Sequence, residues 1–195
     1  MRRTAILHYH LFKNARTSVD QILKRHFQHR WVTAEFPAKG RDNGDLVADW
    51  ILANPAAAAF STHTAWGPTP RIKGVRIITL LLLRNPIDRI RSAYRFERQQ
   101  KADTWGARLA NREDRQCRNF QTHRLAEMRP GDGPELARAI EAVKLLPVVG
   151  LVEDFDGFLG RMTAVLRQDF LISIPFPYGR TAPPTRQSKP IRTDG

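Results

Sequence analysis

Two hydrophobic rhythms alternate along this chain. Residues 4–9, TAILHY, have the length and largely apolar character of a short buried strand. Val19, Ile22, Leu23, His26 and Phe27 then recur at intervals of three and four residues, the spacing of one helical face. Lys13-Asn14-Ala15-Arg16-Thr17-Ser18 separates the two, so the opening reads strand, loop, helix. Further strands are predicted over 31–36, 56–61, 75–83 and 147–152, and further helices over 45–53, 113–128, 134–145 and 155–166. Asn85-Pro86 ends the strand at 75–83 and starts a helix in which Ile90, Ala93, Tyr94 and Glu97 keep helical spacing. Proline suits a first helical turn and disfavours helix in the residue before it.

Strands alternating with helices predict a single α/β domain over residues 1–178, with a mostly parallel sheet flanked by helices on both faces. Residues 179–195 read as an extended, basic, Pro-rich tail. No internal repeat is present. The 195 residues suffice for one domain with a sizeable core.

Charge narrows the partner. Thirty-two Lys and Arg against nineteen Asp and Glu give a net charge of +13, which calls for an anion: a nucleic acid, a membrane surface, or a phosphorylated or sulfated small molecule. The arginines are scattered and form no block, which weighs against a nucleic-acid-binding tail. The single cysteine, Cys117, excludes an intrachain disulfide and a multi-cysteine zinc site and fits a cytoplasmic location. Residues 1–12 lack the apolar core of a signal peptide, and the apolar stretch 77–83 is far below the ~20 residues of a membrane span. No clustered ligand set for a metal is visible.

In a parallel sheet, ligands gather where strands end and helices begin. Lys13, Thr17 and Ser18 lie at such a junction: a lysine can neutralise a phosphoryl or sulfuryl oxygen, and two hydroxyls and the helix N-terminus can donate to it. The loop has no glycine and carries its lysine on the strand side, so it is not a Walker A motif. A helix N-cap after an exposed lysine is the other reading of this stretch. Residues 80–96, LLLLRNPIDRIRSAYRF, put Arg84 at a strand end and Ser92 two turns into the next helix. Eight helical residues rise about 12 Å, so the two meet on one group only if the helix passes back beside the loop.

Together these motifs resemble the PAPS-dependent sulfotransferases, in particular the heparan sulfate 2-O-sulfotransferase-like branch and bacterial carbohydrate sulfotransferases. RNPIDRIRSAY is the more specific motif, and NFQTHRLA (119–126) and VGLVEDFDGFL (149–159) resemble later segments of that family. The resemblance covers roughly residues 5–178. It implies a P-loop-like architecture and a nucleotide co-substrate, PAPS, with a hydroxyl acceptor, a glycan above all. The loop Lys13, Asn14, Ala15, Arg16, Thr17 and Ser18 would hold the 5′-phosphosulfate, with Lys13 on the bridging and sulfuryl oxygens. Arg84 and Ser92, with a contribution from Arg180, would hold the 3′-phosphate. His63, in FSTHTAW, would be the general base, with His10 in reserve.

Three departures stand out. Arg16 occupies a position that is usually glycine, residues 100–115 are short for the family, and the chain continues after Tyr178 as GRTAPPTRQSKPIRTDG where further strand and helix are expected. Trp66, Tyr94, Phe96 and Trp105 are candidates for a sugar platform, with core packing as the alternative for each. Two other functions fit the sequence: a catalytically impaired PAPS- or PAP-binding relative, and a basic nucleic-acid-binding domain.

Overall fold

A computed structural model describes residues 3–37, 42–99 and 116–170. Five strands, β1 (Arg3–Tyr9), β2 (Trp31–Thr33), β3 (Ala59–Thr62), β4 (Val75–Leu83) and β5 (Val148–Leu151), form one sheet in the order β2-β3-β1-β4-β5. Every pairing is parallel. The helices are α1 (Arg16–Phe27), α2 (Gly44–Ala53), α3 (Pro86–Gln99), α4 (Phe120–Glu127), α5 (Glu135–Leu145) and α6 (Phe155–Leu166).

Alternation along β1 sorts the core into two layers. Ile6 points to one face, where it packs with Val19, Ile22 and Leu23 of α1 and Phe158, Leu159 and Met162 of α6. Ala5, Leu7 and Tyr9 point to the other, among Val47 and Ile51 of α2, Leu125 and Ala126 of α4 and Ala139 and Ala142 of α5. Because both faces are covered, β1 and β4 are buried on both sides over Ala5–Tyr9 and Ile78–Leu82 and read as largely apolar segments. At β5 the chains approach so closely that a Cβ on Gly150 would lie 2.5 Å from the Cβ of Phe158.

The predicted elements recur with shorter ends. β2 stops at Thr33 because it pairs on one side only, with β3, and its register ends at Thr33↔Ser61. The strand predicted from residue 56 begins at Ala59, since Asn54–Ala57 closes a turn through Ala57 N–H to Asn54 O. Of the helix predicted over 113–128, residues 116–119 are turn and bend and the helix begins at Phe120, where Asn119 is left-handed with φ 48°. Residues 113–115 lie outside the described residues, as do Trp105, Arg180 and the 179–195 tail.

From β1 the chain crosses over β3 to reach β2, whereas from β4 it runs the opposite way to β5. The direction of winding therefore reverses between β1 and β4. Their carboxyl ends, with the loops that follow them, meet at that reversal, the place where parallel α/β sheets take ligands.

Candidate functional site

The loop after β1 is built from left-handed residues other than glycine. Lys13 has φ 67° and Ala15 φ 55°, conformations that cost an L-residue roughly 1–2 kcal/mol each. Neighbouring groups hold them. Arg84 donates from its guanidinium to the Lys13 carbonyl at 3.1 Å. Asn14, 1% exposed, donates to the Leu82 carbonyl at 2.8 Å and to Gln121 Oε1 at 2.7 Å. The same Gln121 amide accepts the Arg84 N–H at 2.8 Å and donates to the Arg84 carbonyl at 2.7 Å. Glu153 accepts the Asn85 N–H at 2.9 Å, and Asn85 Oδ1 caps α3 through the Ile87 N–H at 3.0 Å.

This bracing brings Lys13 and Arg84 together. Burial, then the charge of Arg84, hold the Lys13 ammonium below the ordinary lysine range. The ammonium lies 4.5 Å from the centre of the Phe96 ring, which meets Phe12 edge-on at 5.9 Å. Two polar atoms at this junction, Arg84 Nε and Asn14 Oδ1, are buried without a hydrogen-bond partner among the described residues. Neither Thr17 nor Ser18 caps α1: Ala15 is the N-cap, no side chain bonds there, and the first turn holds no acid. Lys24, Arg25 and His26 occupy its last turn. Ser92 is partly buried in α3, and among the described residues no hydrogen bond joins it to Arg84.

His63 follows β3 directly, and the register His8↔Ser61 and Tyr9↔Thr62 sets it beside His10. The two imidazoles stack with centres 5.3 Å apart and planes at 25°, and His8 lies 5.5 Å beyond His10. His8 is buried, its Nδ1 2.9 Å from Asp20 Oδ1 on α1. His63 Nδ1 bonds to Glu35 Oε1. Glu35 Oε2 accepts the Thr64 hydroxyl at 2.9 Å and the His63 N–H at 3.3 Å.

The turn that carries His63 is fixed from behind. Asn43 accepts the Trp66 N–H at 2.7 Å and donates to the Thr64 carbonyl at 2.8 Å. Arg124 donates to the Ala65 carbonyl at 2.6 Å with its guanidinium 3.9 Å over the Trp66 ring, and burial holds it below its ordinary value. Tyr9 donates its hydroxyl to the Gly67 carbonyl at 3.1 Å. Trp66 is thereby a packing residue, whereas Tyr94 and Phe96 are exposed on α3.

Gln121, Glu35, Asn43 and Arg124 carry this site without a sequence signal of their own. Each lies far along the chain from the residue it braces; Gln121 and Arg124 fall within NFQTHRLA (119–126), which carries no sign of what they bond to, and Glu35 and Asn43 fall within no motif. A separate open groove of about 1290 Å³ runs past Arg71, Lys73, Arg76, Met128 and Leu146, at the amino end of β4, and touches none of Lys13, Arg84 and His63. Among the described residues there is no group of His, Cys, Asp and Glu able to hold a metal ion, and no helix long and apolar enough to cross a membrane.

The described residues thus form an all-parallel α/β domain with Lys13 and Arg84 in contact at its topological switch. An uncharacterized protein from Archaeoglobus fulgidus is 35% identical over 192 residues, covering 87% of this chain and 76% of that protein, and the chain belongs to its family. No protein-family model and no solved structure matches the chain.

Proposed function

We propose that this protein is a PAPS-dependent sulfotransferase that moves a sulfuryl group to a hydroxyl of a carbohydrate or similar acceptor. The observation that carries the reading is the pairing of Lys13 with Arg84, from the ends of two adjacent central strands, at the point where the sheet reverses its winding. Two cations kept together at a cost in mutual repulsion are suited to an anion with more than one charged group. The strand order, with β1 central and its loop leading into an uncapped α1, supports the P-loop-like architecture.

In this scheme the loop from Lys13 to Ser18 takes the 5′-phosphosulfate, and Arg84 and Ser92 the 3′-phosphate. Lys13 stabilises charge building on the bridging oxygen as the sulfuryl group leaves, in a loose in-line transfer. His63, at the carboxyl end of β3 beside β1, takes the acceptor proton, a contribution of typically ~10²- to 10⁴-fold.

One observation favours a second reading, an impaired relative that binds nucleotide without turnover. Lys13 rests on Phe96 and Arg84 on the Lys13 carbonyl, so both cations have internal contacts to give up. Labelled PAPS offered to a panel of hydroxyl acceptors, with PAP affinity measured in parallel, decides between the two: transfer supports the enzyme, and binding with no transfer supports the relative. Loss of PAP binding on Arg84→Ala, by about 1.5–3 kcal/mol for each charge-assisted hydrogen bond, with little change for adenosine 5′-phosphosulfate, supports the 3′-phosphate role. Equal losses for both nucleotides count against it.

A further inference from the structure

We infer that Glu35 is the positioning residue for the base: it holds the His63 imidazole in the tautomer that leaves Nε2 open to the acceptor, and holds the imidazolium after proton transfer. This rests on the reading above. Glu35 sits two residues past β2, and its carboxylate receives the His63 ring Nδ1, the His63 main-chain N–H and the Thr64 hydroxyl. The Thr64 hydroxyl in turn accepts the Phe36 N–H at 2.5 Å, which ties the acid to its own strand end. A carboxylate accepts and does not donate, so the ring proton is on Nδ1 and the lone pair on Nε2.

The stacked His10 ring limits rotation of the imidazole, and the bracing of Asn43 and Arg124 limits movement of its backbone. His63 and Glu35 are 41% and 40% exposed, so solvent weakens their ion pairing and the larger effect is on orientation. In the transfer step the acceptor O–H gives its proton to His63 Nε2 while its oxygen bonds to sulfur. The bond from sulfur to the bridging oxygen of PAPS breaks, and its electron pair goes to the 5′-phosphate. The new positive charge on the ring is met by Glu35.

Two-bond proton–nitrogen spectra of the imidazoles in the full chain, with His63 assigned by its loss in His63→Ala, test this without any turnover. Neutral His63 is expected to carry its proton on Nδ1 in the wild type and in Glu35→Gln, whose one amide oxygen still accepts from the ring while the bonds from the Thr64 hydroxyl and the His63 main-chain N–H are given up. In Glu35→Ala the proton is expected to move to Nε2, with kcat falling on the order of 10²- to 10⁴-fold and PAP affinity unchanged. Glu35→Gln keeps the shape of the side chain, so a tautomer change confined to Glu35→Ala separates positioning from misfolding. An Nε2–H tautomer in the wild type, or an unaltered tautomer in Glu35→Ala, overturns the inference. If the tautomer changes as stated but no acceptor is ever sulfated, the positioning of His63 is supported and the sulfotransferase reading falls alone.

Discussion

Gln121 makes with one side-chain amide the pair of hydrogen bonds that a neighbouring strand would make with Arg84, donating to its carbonyl and accepting its N–H. The carboxyl end of β4 is thereby satisfied by a helix, and the third bond of the same amide reaches Asn14 in the loop after β1. One residue fastens the carboxyl end of β4 to the loop after β1.

Gln121→Glu is expected to lose the bond to the Arg84 carbonyl and keep its acceptors, and Gln121→Ala to lose all three bonds. With about 0.5–1.5 kcal/mol net for each bond, the Ala variant is expected to lose about 1.5–4.5 kcal/mol in urea unfolding, with weaker PAP binding. Unchanged stability in both variants would show that Gln121 bridges nothing of consequence.

Lys13→Ala is expected to lower kcat far more than PAP affinity, because PAP lacks the sulfuryl group whose departure develops the charge. The depressed Lys13 value adds a pH dependence. An anion favours the protonated ammonium, so affinity is expected to fall as pH rises through the Lys13 value of the free protein, earlier than for an exposed lysine. Arg84→Ala, which removes the neighbouring charge, is expected to move that fall to higher pH. For folding the sign is opposite: between the depressed and ordinary values the unfolded chain binds more protons, so stability rises with pH across that window. Calorimetric titration of PAP over a pH series, and urea unfolding over the same series, check the two.

Ala15→Gly addresses the left-handed N-cap at φ 55°. Glycine adopts this conformation without a Cβ penalty, so the variant is expected to gain about 1 kcal/mol in folding stability, offset in part by greater freedom in the unfolded chain. A loss of stability would mean that the Ala15 methyl, packed against the α1 side of the core, matters more than its backbone strain.

Gly150→Ala tests the close approach of β5 to α6. The added methyl meets backbone-anchored atoms of Phe158, not the free end of a flexible side chain. A cost of about 1–3 kcal/mol is expected, read as a lowered urea midpoint with an unchanged slope.

The sheet was legible because β1 and β4 are covered on both faces and so advertise themselves as apolar runs, and α1 because its buried side repeats at three and four. The predicted β2 ran three residues too far because an apolar-aromatic stretch carries no sign of where its single neighbour ends. Lys13, Arg84 and His63 were found at strand ends, where the chain itself breaks. Glu35 was not, since a polar residue that bonds across 28 positions looks in sequence like any solvated one, and Gln121, though inside NFQTHRLA, shows no sign there of the bond it makes across 37 positions. His63 was read as a lone base; its carboxylate partner and its stack on His10 come from the β1–β3 register, which no local pattern encodes.

The bare first turn of α1 has an energetic consequence for the whole molecule. Its dipole is countered at the carboxyl end by Lys24, Arg25 and His26 and by no acid or cap at the amino end. Among the described residues, the amino-terminal half of the helix's electrostatic complement is therefore unmet. An anion bound there would act as a structural part, and at a hundred times its dissociation constant such a ligand would add about 2.7 kcal/mol to the folded state. Melting temperature measured against a series of nucleotides and sulfated or phosphorylated compounds becomes a direct way of asking which anion this fold was built to complete.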